Sequence, residues 1–79
     1  MIGKVVRSLA GNDKGSFSVI VKAEENRVFI ADGKKHKLSS PKSKNPKHLA
    51  FTETTFNTLE LKTDKSLRRL LAIYRSNNK

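Results

Sequence analysis

A chain of 79 residues without cysteine has room for one small core, and it excludes disulfides and thiolate metal sites. Seventeen Lys and Arg against seven Asp and Glu leave a net charge of +10, far from the balance of a typical enzyme surface and suited to a polyanionic partner. With 35% hydrophobic and 6% aromatic residues, Val, Ile and Leu must supply most of the core. No apolar run approaches the ~18 residues of a spanning helix. The N-terminus has no signal-peptide core, and Ile2 stands where a myristoylated chain needs glycine. The expectation is a cytoplasmic monomer with no membrane partner.

In chain order, residues 2–8 form the first predicted strand. Val5 and Val6 are adjacent, so its inward face is open. A polar loop follows, carrying Gly11, Asn12, Asp13, Lys14 and Gly15. Glycine takes φ > 0 without steric cost, and Asn and Asp support turns through their side chains. Asp13 is read as a residue that closes the turn, and Lys14 as a charge on a stiff loop. In residues 16–23, Phe17, Val19, Val21 and Ala23 alternate with Ser18, Ile20 and Lys22, the period of a half-buried strand. Ile20 on the outer side asks for a cover, and the C-terminal segment is the candidate. Glu24-Glu25-Asn26 is a polar turn before a third strand over residues 27–31. Asp32-Gly33 then signals a type I′ hairpin, with Lys34 to Leu38 as a short, basic returning strand at the sheet edge.

Ser39 to His48 reads as a loop stiffened by Pro41 and Pro46. Leu49 to Glu53 is the last predicted strand, and residues 54–62 fit either a short helix or an extended segment. Thr63-Asp64 suits a helix N-cap. Leu67, Leu70, Leu71 and Tyr74 then form the apolar stripe of a helix over about 64–75. Ser76 to Lys79 should fray.

From Gly33 to Thr52 there are six lysines, two histidines and no acid. The acids lie elsewhere along the chain. These charges are carried by the hairpin and the Pro-stiffened loop, and Ser39, Ser40, Ser43 and Asn45 add groups suited to phosphate and 2′-hydroxyl contacts. The candidate binding residues are therefore Lys34, Lys35, His36, Lys37, Lys42, Lys44, Asn45, Lys47 and His48. A histidine beside a polyanion takes up a proton, so binding would tighten in mild acid. Phe29 and Phe51 could stack on bases, but core positions are favoured for both. Two histidines among lysines make no zinc site. With no HExxH, nucleophile elbow or P-loop, no enzyme activity and no cofactor are expected. No groove-reading helix is evident, which favours irregular RNA over duplex DNA. Neutralising about four to six phosphates would give a log–log salt slope of order −3 to −5.

Val5, Val6, Gly11, Lys14, Gly15 and Val19 also fill the pattern of a KOW motif: an apolar pair, a glycine, two or three polar residues, a basic residue with glycine, and an apolar strand. Ser18 departs from longer forms, which carry another glycine there. With Ile30 to Leu38 and Pro41 to Leu49, the chain resembles the small bacterial KOW-domain RNA-binding proteins. These are related to a KOW-containing family of archaeal and eukaryotic large-subunit ribosomal proteins. The resemblance covers residues 2–52 and fades beyond. It implies a mainly β fold, a small SH3-like barrel of about five strands with a C-terminal α-helix packed on it. Residues 1–53 would form the barrel with basic loop 34–48, and residues 54–79 an extension of the same domain. It also implies that the loop at 11–15 faces RNA, adding Lys14 and Asn12, with Arg7 nearby. Ribosomal RNA or the ribosome would be the partner. The competing reading is a protein-interaction module of the translation or transcription machinery, docking through an exposed stripe at Leu67, Leu71 and Tyr74.

Overall fold

The computed structural model describes residues 1–77. It contains strands β1 (Lys4–Ser8), β2 (Phe17–Ala23), β3 (Val28–Ala31), β4 (Lys42–Lys44) and β5 (Leu49–Thr55), and a helix α1 (Asp64–Asn77). The strands form one antiparallel sheet in the order β4-β3-β2-β1-β5. The fold is thus mainly β, barrel-like, with a single C-terminal helix. No helix among the described residues is long and apolar enough to cross a membrane.

Register explains why both Val5 and Val6 are apolar. Val5 pairs with Val19 and Val6 with Ser18, and residues opposed across a ladder share a face. The two valines therefore point to opposite faces, and both are fully buried. On one face Val5, Val19 and Ala31 pack with Leu67 and Leu71 of α1, flanked by Phe17, Val21, Phe56, Leu61 and Tyr74. On the other, Val6, Ile20, Val28, Ile30 and Leu49 form a second cluster. The cover expected over Ile20 is therefore not the C-terminal helix, which lies on the Val19 side. The sheet covers that face itself by rolling.

One contact demonstrates the roll. Lys44 Nζ lies 3.2 Å from Ser8 Oγ. In the sheet β4 is separated from β1 by two strands, about 14 Å if the sheet were flat. A lysine stem of four carbons cannot span that.

Helix α1 forms where its signals stand. The Thr63 hydroxyl accepts a hydrogen bond from the Ser66 amide at 3.1 Å, the N-cap contact. Leu67 and Leu71 are 0% and 1% exposed, worth about 2–3 kcal/mol each on burial. The stripe is thus spent against the sheet and offers no open patch at Leu67 or Leu71. The helix runs on through Ser76 and Asn77, where fraying was expected; the rest of that expected frayed end, Asn78 and Lys79, lies outside the described residues. The undecided segment before it is mostly irregular. It has a 3-10 turn (Thr58–Glu60) capped by Asn57, and Phe56 and Leu61 pack on the core.

Lys34 to Leu38 is not a strand. Asp32 turns the chain instead: its Oδ1 accepts from the amides of Lys34 and His36, both at 2.9 Å. The carbonyl of His36 accepts from the amides of Asp32 and Gly33. A type I′ turn would need φ > 0 at Asp32 as well, and only Gly33 has it. The strand that pairs with β3 comes later, as Lys42–Lys44 inside the expected loop, with Val28 opposite Lys44 and Ile30 opposite Lys42. A 3-10 turn (Pro46–His48) then leads straight into β5.

Candidate nucleic-acid interface

The loop between β1 and β2 is built on its backbone. Ser8 and Ser16 close it, Ser8 N donating to Ser16 O at 2.9 Å. Gly11 and Gly15 have φ of +87° and +89°, the conformation that requires glycine. This geometry turns Asp13 inward while Asn12 and Lys14 stay exposed.

Asp13 is the centre of the site. Its Oδ1 accepts from Lys44 Nζ at 2.9 Å and from the Ser8 hydroxyl at 3.0 Å. Lys44 Nζ also reaches Ser8 Oγ and, at 3.1 Å, the Ala10 carbonyl. An ammonium has three donors, so all of Lys44's are used. Asp13 and Lys44 are both 7% exposed. Burial alone would push the Asp13 carboxyl up, but the hydrogen bond and charge of Lys44, with the Ser8 hydroxyl, outweigh it and hold the group at about 2, against an ordinary 3.8. The second oxygen, Oδ2, faces His36 Nε2 at 3.6 Å. That is beyond hydrogen-bond reach, and neither atom has another hydrogen-bond partner.

Three segments therefore meet at one buried aspartate: its own loop, β4, which is bonded to it through Lys44, and the Asp32–Leu38 loop, whose His36 lies beside it without a hydrogen bond. A fourth joins them, since Leu9 N donates to His48 O at 2.9 Å. The second loop is also strapped to α1. Asp64 Oδ1 accepts from the Leu38 amide at 2.8 Å, and Arg68 Nη1 donates to the Gly33 carbonyl at 2.6 Å. Gly33 is buried against the helix, where a Cβ would run into the Asp64 carbonyl oxygen.

No protein-family model matches this chain, and no curated protein matches it. Its function is therefore read from its own geometry.

Of the residues expected to bind, Asn12, Lys14, Lys34, Lys35, Lys37, Lys47 and His48 are exposed on the segments that converge at this end. Lys42 is exposed at the start of β4, and Arg7 on β1. Three others are committed to structure. Lys44 is a buried partner of Asp13, with no donor left for a phosphate. His36 is half-buried against Asp13, its side chain 15% exposed. Asn45 caps the 3-10 turn, its side-chain oxygen accepting from Lys47 N at 2.9 Å. Nor do the acids lie apart from the lysines. Asp13, Asp32 and Asp64 fold into the basic region, where each spends a carboxylate oxygen on an ammonium or on backbone amides.

Among the aromatics, Phe29 is half-buried with Lys22 Nζ 5.2 Å from its ring centroid. Phe51, expected in the core, is 41% exposed on β5. Sequence reasoning assigned Asp13 to a turn and missed its role as the organiser of the site. Its inward side chain depends on a lysine 31 residues away, and no local signal announces that.

Proposed function

We propose that this protein is a non-catalytic RNA-binding domain that meets its partner with the end of the sheet where the 11–15 loop, the 34–38 loop and the 42–48 segment converge. The observation that carries the reading is the buried Asp13–Lys44 pair. It ties the 11–15 loop to β4, while Asp64 and Arg68 strap the 34–38 loop to α1, so the exposed cations of these segments form a preorganised group rather than scattered charge. Lys14, Lys34, Lys35, Lys37, Lys42 and Lys47 supply phosphate contacts, and Asn12 and His48 add hydrogen-bonding groups. Because Asp32 and Asp64 fix the backbone of the 34–38 loop, little ordering cost falls on binding. Ribosomal RNA is the target class that the KOW-like segments imply. Cytoplasmic action on the ribosome belongs to the same proposal. Docking to a protein through the helix stripe is disfavoured, because Leu67 and Leu71 are occupied by the sheet.

The test is fluorescence anisotropy across a salt series with a structured ribosomal RNA fragment, a DNA duplex and heparin. The expected result is an RNA preference that survives physiological salt. Replacing Lys34, Lys35 and Lys37 together with Ala should leave the fold intact and flatten the log–log salt slope by about 2. Equal binding to all three polyanions that vanishes with salt would overturn the proposal, as would unchanged RNA affinity in the triple variant.

A further inference from the structure

We propose that Phe51 is a stacking platform for an unpaired base, so that the domain takes a single-stranded segment with its phosphates on the basic end. The inference rests on the nucleic-acid reading above and adds to it a strand preference.

The other aromatic rings are occupied. Phe17 and Tyr74 meet edge-to-face, with centroids 5.2 Å apart, and pack on the core with Phe56. Phe29 is half-buried beside Lys22. Among the described residues Phe51 is the one aromatic in an exposed setting, at 41%. A single exposed apolar side chain is ordinary by itself; its position decides here. β5 is an edge strand, so no further strand of the sheet lies over its outer side. It begins directly after the exposed Lys47 and His48. Two residues, Leu49 and Ala50, lie between His48 and Phe51, a reach of about 10 Å, so one extended nucleic-acid strand can touch both. On the neighbouring strand Phe51 stands opposite Val6 and shares its face, whereas the exposed Arg7, opposite Ala50, points to the other face and is no part of the platform.

The far side is bounded. Glu53, exposed two residues further along β5, repels phosphate. The backbone of a bound strand therefore leaves Phe51 toward His48 and Lys47, not toward Glu53. A base face on phenylalanine is sequence-tolerant, since every base has a π-face. A duplex keeps its bases stacked inside and cannot use this platform.

The test compares a uridine-rich single strand with an RNA duplex of similar charge, on the wild type and on Phe51→Ala, Phe51→Leu and Phe51→Trp, by anisotropy. Circular dichroism confirms that each variant is folded. The expected result is that Ala and Leu weaken single-strand binding roughly ten-fold or more while duplex affinity and the salt slope are unchanged. Leucine keeps apolar area without a ring, so its loss isolates stacking. Tryptophan should retain binding, with its fluorescence quenched by the strand. Wild-type single-strand affinity in the Ala and Leu variants would overturn the platform and leave the RNA reading standing, as would an equal loss on strand and duplex. A wild type that binds neither RNA at low salt would overturn both.

Discussion

Replacing Lys44 with methionine tests the centre of this structure. Methionine keeps most of the stem and removes the ammonium. Asp13 then stays buried with the Ser8 hydroxyl as its sole hydrogen-bond partner. Breaking a buried pair from one side costs about 3–5 kcal/mol, because a charge is left uncompensated. Domains of this size have total stabilities of only about 4–12 kcal/mol, so the loss is plain in urea unfolding followed by circular dichroism. Adding Asp13→Asn to Lys44→Met removes the stranded charge and should recover at least ~2 kcal/mol of the loss. The pH dependence supplies a second handle. In the wild type the carboxyl is depressed from 3.8 to about 2. Its contribution, roughly 2 kcal/mol, is fully present above pH 3.8 and is lost as pH falls through about 2. In Lys44→Met the carboxyl is raised by burial without its counter-charge, so that variant gains stability as pH falls. The two curves should converge in acid. A methionine variant costing under 1 kcal/mol at pH 7, or a double-mutant cycle with coupling below about 0.5 kcal/mol, would refute the account of Asp13 as the anchor.

Two further substitutions probe how the helix holds the basic loop and the sheet. Gly33→Ala puts a Cβ into the Asp64 carbonyl at a φ of +80°; a loss of about 2–4 kcal/mol is expected from the strain and the displaced helix start, and a near-neutral change in thermal unfolding would show that the loop and helix are not in register-fixing contact. Leu71→Ala should cost about 2–5 kcal/mol, because the side chain is 1% exposed between α1 and the sheet, with the denaturant m-value unchanged; a cost below 1 kcal/mol would return the helix stripe to the list of free surfaces.

Periodicity carried much of the fold. The alternation of Phe17, Val19 and Val21, the hydroxyl of Thr63, and the 3–4 spacing of Leu67, Leu70, Leu71 and Tyr74 all report local geometry that the sheet and helix use. The reading went wrong where a side chain chooses among several backbone or charged partners, near in the chain or far from it. Asp32-Gly33 looks like a hairpin turn locally, yet Asp32 spends its carboxylate on the amides of Lys34 and His36 and curls the chain into a loop. That delays the pairing strand to Lys42–Lys44, where prolines on both sides mark a loop by composition. Lys44 cannot be told from Lys42 or Lys47 in the sequence. Only the rolled sheet turns it toward Ser8 and Asp13. Phe51 failed in the opposite sense: its place in an alternating strand promises a core, but β5 lies at the edge, where the roll leaves its ring uncovered.

The Asp13–Lys44 pair also has a kinetic meaning. Its partners are 31 residues apart in the chain, and in the folded state they meet across a rolled sheet in which β1 to β4 are paired. Loop-closure entropy must be met before such a contact is made. Interactions absent from the transition state act on the unfolding rate. If the pair closes after the hydrophobic clusters have formed, it acts as a lock on the roll, and Lys44→Met should speed unfolding while leaving the folding rate unchanged in stopped-flow chevron measurements; a slowed folding rate would place the pair in the folding nucleus.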